Sequence, residues 1–211
     1  MPDQPDIAPK IAPDRPLVIL DVDEVLALFF QGFGRFVAQR GYELRCERFA
    51  LFGNLYAAGG KQPVGMEIGR PLFNAFFLEG GDLMDHAPGA PESLAALSQA
   101  ASVVILSNAP AHGRDERLRW LQRCAMDYPL IINEGPKGPV VAALAARTSR
   151  PAVFVDDIVS HLDSCLIDAP RVTRFQPVAD PALRSLAPSR PEHRRIDGWD
   201  ELLPAIQAAI R

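Results

Sequence analysis

The chain has little of what marks secreted, membrane-spanning or polyanion-binding proteins. Cysteine is scarce: Cys46, Cys124 and Cys165 are scattered, odd in number and in no metal-ligand spacing. That pattern excludes a disulfide framework and reads as reduced thiols of an intracellular protein. No apolar run approaches the roughly 20 residues needed to cross a bilayer. The N-terminal stretch MPDQPDIAPKIAPDRP has no apolar segment long enough for a signal peptide, so a cytoplasmic location is expected. An excess of positive charge is also missing. The net charge is −4, which gives no electrostatic reason to expect a nucleic acid polymer or an anionic membrane as partner. From Arg15 onward there are no repeats and no low-complexity tract.

What is present suits one globular core, with 48% hydrophobic and 23% charged residues over 211 positions. Residues 1–15 carry four prolines and several charges and are expected to form a flexible arm. Regular structure begins at Leu17. Residues 28–86 hold most of the phenylalanines and several glycines. Phe33, Phe36 and Val37 share one helical face, as do Phe73, Phe76 and Phe77, so this stretch reads as a small helical insertion. From Pro91 helices and apolar strands alternate: helix 91–101, strand 102–107, helix 112–125, strand 130–132, helix 138–147, strand 152–156, helix 158–168 and strand 171–175. A short helix at 180–186 and a terminal one over 199–210 are expected to follow. Alternation of this kind predicts an α/β fold, a doubly wound, three-layer Rossmann-like parallel sheet, with its core in 16–27 and 87–211.

The chemistry concentrates where apolar strands stop. Leu17-Val18-Ile19-Leu20 runs into Asp21-Val22-Asp23, Val103 to Leu106 into Ser107-Asn108, and Val153 to Val155 into Asp156-Asp157. Between the last two, Gly135-Pro136-Lys137-Gly138 sets a lysine at the start of a predicted helix. Ligands of open α/β sheets bind at the carboxyl ends of the strands, so these clusters converge on one edge. Taken singly, each has a plainer reading. Aspartates and Ser-Asn suit turns and helix caps, and Asp157 suits the N-cap of a helix beginning near Ile158. Lysine at a helix start, however, opposes the helix dipole.

The order Asp-x-Asp, Ser-Asn, Lys, Asp-Asp resembles the haloacid dehalogenase-like (HAD) superfamily, whose first signature stands here as Asp21-Val22-Asp23-Glu24-Val25-Leu26. The resemblance spans residues 17–28 and about 88–175. It implies a Mg²⁺-dependent phosphatase acting on a small phosphomonoester, a nucleotide or a sugar phosphate. Asp21 would be the nucleophile that becomes an aspartyl-phosphate, and Asp23 the group that protonates the leaving alcohol. Ser107 and Asn108 would bind the phosphoryl oxygens, with Lys137 neutralising the anions. Asp21, the Asp23 carbonyl, Asp156 and Asp157 would hold the metal. Asp23 argues against a dehalogenase, which typically lacks it, and the missing membrane spans exclude the transport ATPases of the superfamily. The insertion is similar to a cap that closes over small substrates. Phe29, Phe30 and Phe33, just after the first signature, suit either the cap core or contact with a flat substrate group. Glu24 departs from the glycine of many members and would narrow the site or restrict the loop into the cap. A phosphomutase and a non-catalytic ligand-binding protein are the alternatives. The expected partner is a small phosphorylated metabolite, and the chain a monomer or homodimer.

Overall fold

The structure is a computed structural model and describes residues 10–211. Six parallel strands form one sheet in the order β5-β4-β1-β6-β7-β8. They are β1 (Leu17–Leu20), β4 (Ser102–Ser107), β5 (Leu130–Ile132), β6 (Ala152–Val155), β7 (Thr173–Gln176) and β8 (Arg194–Arg195). In β1 all four residues are buried. Leu17 and Ile19 face one side of the sheet and Val18 and Leu20 the other, as period-2 alternation requires. A strand covered on both faces needs an unbroken apolar run, and that is what the sequence supplies.

On the first face, α5 (Gly138–Ala145) and α6 (Val159–Asp168) bury Val141, Leu144, Leu162 and Cys165 against Leu17, Ile19, Val104 and Phe154. Opposite lie α3 (Ala90–Ala100), α4 (Arg114–Arg123) and α7 (Trp199–Ala209), which contribute Leu94, Leu97, Trp120, Leu202 and Ile206. Helices on both faces make the three layers of a doubly wound sheet. Because β1 lies between β4 and β6, the chain leaves it in opposite directions across the sheet, and a crevice opens at the carboxyl ends there.

Between β1 and α3 the chain forms α1 (Phe29–Ala38), an antiparallel pair β2 (Tyr42–Leu44) and β3 (Leu55–Ala57), and α2 (Met66–Glu79). The hairpin is an addition to the helical insertion read from the sequence: three-residue strands joined by a long loop leave too short an alternation to detect. Phe29, Phe33 and Phe36 of α1 pack on Phe73, Phe76 and Phe77 of α2, with ring centroids 4.8–6.5 Å apart across the cluster. Full burial of a ring such as Phe33 stabilises by about 2–3 kcal/mol. This aromatic cluster holds the two helices together and joins the main core.

Two expectations change. Of the supposed arm, residues 1–9 lie outside the described residues, but 10–15 are tied down. Ile11 is buried, Ala12 N–H donates to Ser102 Oγ, and Thr148 Oγ1 donates to the Arg15 carbonyl. Arg15 in turn caps carbonyls at the end of α3. Residues 180–186 make turns rather than a helix, since Pro181 and Pro188 bracket a segment too short to propagate one.

Candidate active site

Asp21 is the first residue past β1, and its N–H donates to the Val155 carbonyl, which fixes it beside the end of β6. Asp156 is the first residue past β6. Lys137 arrives from the other side: Gly135 takes a left-handed turn, φ +81, and Lys137 then occupies the cap position of α5. Its Nζ reaches Asp21 Oδ1 and Asp156 Oδ2, each at 2.7 Å. The side chain is wholly buried. Burial alone would favour the neutral amine, but the two carboxylates outweigh it and hold the ammonium above its usual range. They also offset the unfavourable dipole at the helix start.

Asp157 lies beside them. One oxygen from each of Asp21, Asp156 and Asp157 falls within 4.8 Å of the others, and all three residues are buried. Burial pushes the Asp156 carboxyl up to about 7, against the pull of Lys137. Asp157 is driven well above the carboxylate range by burial and by the neighbouring Asp156 and Asp21. Among the described residues no lysine or arginine forms an ion pair with Asp157. Three buried carboxyl groups thus share one ammonium and present a cluster of hard oxygens. That donor set fits a cation such as Mg²⁺, which takes oxygen ligands and is commonly held by one or two carboxylates.

Ser107 and Asn108 follow β4. The Ser107 hydroxyl is fully buried and accepts the Ala109 N–H at 3.1 Å, which leaves its own proton to donate. Asn108 Nδ2 donates to the Gly135 carbonyl at 2.8 Å, and its Oδ1 accepts from Asn133 at 2.9 Å. Asn108 therefore braces the turn that delivers Lys137. Asn133, one residue past β5, completes that brace. Its only sequence signal is its place at another strand end.

Asp23 faces the same crevice but is held by a residue that the sequence reading missed. Arg117 of α4 donates from Nη2 to both Asp23 oxygens. Burial raises the Asp23 carboxyl, Arg117 pulls it down, and the nearby Asp21 raises it. The signal was available: Arg117 shares a helical face with Trp120, Leu121 and Cys124, so a cation stood on an apolar stripe.

Glu24 has φ +55, the left-handed region where glycine is favoured. Its buried carboxylate compensates. One oxygen accepts the Phe30 N–H at 2.9 Å in the first turn of α1, and the other accepts the Asp180 N–H at 3.0 Å. Its carbonyl accepts from Ala179. Burial lifts the acid to about 7, against the two N–H donors. Glu24 thus ties the loop after β1 to the insertion and to the segment after β7.

These groups open on a cavity of about 220 Å³ lined by Asp21, Asp23, Asn108, Lys137, Asp157 and His161 on the core side. Phe29 and Phe30 also line it; Phe33 does not, being enclosed by Phe29, Phe36, Phe73 and Phe76. His161, on α6, keeps its Nδ1 buried without a partner among the described residues, and burial lowers its pKa to about 4.

No protein-family model matches the chain, and no curated protein does. Solved structures do match. A predicted phosphatase from Clostridium acetobutylicum superposes with a TM-score of 0.63 at 12% identity, over 92% of this chain and 99% of that one. A haloacid dehalogenase-like protein of unknown function from Agrobacterium tumefaciens gives 0.60 at 19% identity, over 92% and 97%. A HAD family hydrolase from Deinococcus radiodurans, solved with bound phosphate and sodium, gives 0.57 at 21% identity, over 94% and 97%. A parallel sheet in this order, with an insertion after its first strand and carboxylates at the ends of β1 and β6, is the haloacid dehalogenase-like fold.

Proposed function

We propose that the chain is a Mg²⁺-dependent phosphatase that hydrolyses a small phosphomonoester through an aspartyl-phosphate on Asp21. One observation carries the reading: the Lys137 ammonium bridges Asp21 and Asp156 at 2.7 Å each, with Asp157 beside them, at the floor of a cavity. Phosphoryl transfer needs a positioned nucleophile and charge neutralisation on the phosphoryl oxygens, with little other covalent chemistry. Lys137 aligns Asp21 and shares its positive charge with the incoming phosphate. Asp21, Asp156 and Asp157, with the Asp23 carbonyl, would hold Mg²⁺, which supplies further charge neutralisation when bound.

The proton and bond balance follows from Asp21 and Asp23. An Asp21 oxygen attacks phosphorus while the bond to the alcohol oxygen breaks, and the Asp23 carboxyl gives its proton to that oxygen. Asp23, now a carboxylate, takes a proton from water as the water oxygen attacks phosphorus and the Asp21–phosphorus bond breaks. Burial and the approach of phosphate favour the protonated Asp23 needed first, and Arg117 stabilises the carboxylate needed second. Asn108, in the cavity lining, and Ser107, buried at the end of β4, would donate to phosphoryl oxygens in this reading. The Deinococcus structural neighbour, which holds phosphate, supports a phosphate site in this fold.

The test is release of inorganic phosphate from an aryl phosphate with Mg²⁺. Asp21→Asn is expected to abolish release with an unchanged circular dichroism spectrum; turnover equal to the parent protein would sink the proposal. Stoichiometric phosphate in solution separates a phosphatase from a phosphomutase, which would retain the group.

A further inference from the structure

The cavity has two unlike halves. The core around the strand ends brings the carboxylates, Lys137, Asn108 and His161; the insertion between β1 and α3 brings Phe30, Phe49, Leu51 and Phe73, and Ile158 and Leu183 add apolar surface. Phe29, Phe73 and Phe77 also reach the cavity but are bound into the ring–ring cluster between α1 and α2. Phe30 and Phe49 are different. Both line the cavity, both are half-buried, and neither belongs to the apolar core or to a ring–ring pair among the described residues. Each offers an apolar face to the cavity.

The charges point the same way. Among the described residues Lys137 is the one cation in the lining, and it is committed to Asp21 and Asp156. The other charged groups at the wall, Asp21, Asp23, Glu24 and Asp157, are acids. A second phosphate or a carboxylate on the substrate would meet no cation. A polyhydroxylated group would fare little better: apart from the acids, Lys137, Asn108 and His161, which stand where the phosphate and its nucleophile meet, the lining offers it no side-chain hydrogen-bond partner among the described residues. Hydroxyls buried against phenylalanine and leucine lose water without gaining partners.

We propose, resting on the phosphatase reading above, that the substrate is the monophosphate of an uncharged, largely apolar alcohol or phenol, with its carbon body seated between Phe30 and Phe49. Sugar phosphates and esters with a second anionic group are disfavoured by the same wall.

The test compares three primary alkyl monoesters, so that leaving-group reactivity is matched: 3-phenylpropyl phosphate, glycerol 3-phosphate and 2-carboxyethyl phosphate. The expected result is a kcat/KM for the phenylpropyl ester roughly 100-fold above the other two. Phe49→Arg, at a half-buried loop position outside the core, should cut that ratio about tenfold or more by adding a cation and removing a ring. Equal or faster turnover of the glycerol or carboxyethyl ester overturns the assignment while leaving the phosphatase reading intact. Calorimetry with 4-phenylbutylphosphonate and 3-carboxypropylphosphonate reads the pocket without turnover. Preferential binding of the phenyl compound with no hydrolysis of any ester keeps the pocket assignment and removes the phosphatase reading. Binding without that preference, or no binding of either, removes the pocket assignment.

Discussion

Arg117 Nη2 donates to both carboxylate oxygens of Asp23, at 2.8 and 2.9 Å, from a side chain that is itself 2% exposed. The guanidinium carbon lies 5.0 Å from the Phe77 ring centroid and 6.0 Å from that of Trp120, so aromatic faces hold the cation on its inner side. Removing one partner of a largely buried pair strands the other. Arg117→Met should therefore lower stability by about 2–4 kcal/mol in urea unfolding. With its cation gone, Asp23 keeps its proton to higher pH. The high-pH limb of the kcat profile should move up by about one unit. An unmoved limb would make Arg117 a packing residue and nothing more.

Asp157 is a buried acid with no cation paired to it among the described residues. Asp157→Asn should stabilise the metal-free protein by about 1–2 kcal/mol, because the cost of burying an unpaired acid is removed. The same change should erase the rise in melting temperature that Mg²⁺ gives the parent chain. Thermal melts with and without Mg²⁺ read both effects, and a retained Mg²⁺ shift would remove Asp157 from the proposed cation site.

Glu24 offers two oxygens to two backbone donors, Phe30 and Asp180. Glu24→Gln keeps the shape but supplies one acceptor, so one N–H loses its partner, at a cost of about 1–3 kcal/mol. Glu24→Gly relaxes the φ of +55 yet loses both bonds. Amide hydrogen exchange at Phe30 and Asp180 should quicken in both variants, and more in the glycine. Unchanged exchange at both amides would show that the carboxylate is not what holds these segments together.

His161 has its pKa depressed by burial and by Lys137, from 6.5 to about 4. The unfolded chain binds a proton first as pH falls, so the stability gained by burying neutral imidazole is present above about 6.5 and lost towards 4. The imidazole carbon shift of His161 should stay flat between pH 8 and 5 by NMR. His161→Phe should flatten the acid limb of the stability curve; a limb as steep as the parent's would assign the acid loss to other groups.

How much of this was legible depended on where each signal lay in the sequence. Leu17 to Leu20, Val103 to Leu106 and Val153 to Val155 announce themselves because a strand buried on both faces must be apolar throughout, and the polar residue that ends each run is then conspicuous. Lys137 stood out as a cation on the wrong end of a helix. Arg117 did not, because α4 also carries Arg114, Arg119 and Arg123, and the pairing to Asp23 spans 94 positions of chain. Glu24 was visible as an oddity, but its partner Asp180 is 156 residues away. Phe30 and Phe33 are alike in sequence; three residues of helix turn one towards the cavity and the other into the core.

The burial of Lys137 has a practical side. The chain has three lysines, Lys10, Lys61 and Lys137, and in the fold the first two are exposed while the third is sealed between two carboxylates. Among the lysines an amine-reactive label therefore has two open addresses and one closed one, and the closed one lies at the proposed reaction centre. Mass spectrometry of labelled protein turns the chain's own scarcity of lysine into a site-specific gauge of how often that centre comes open.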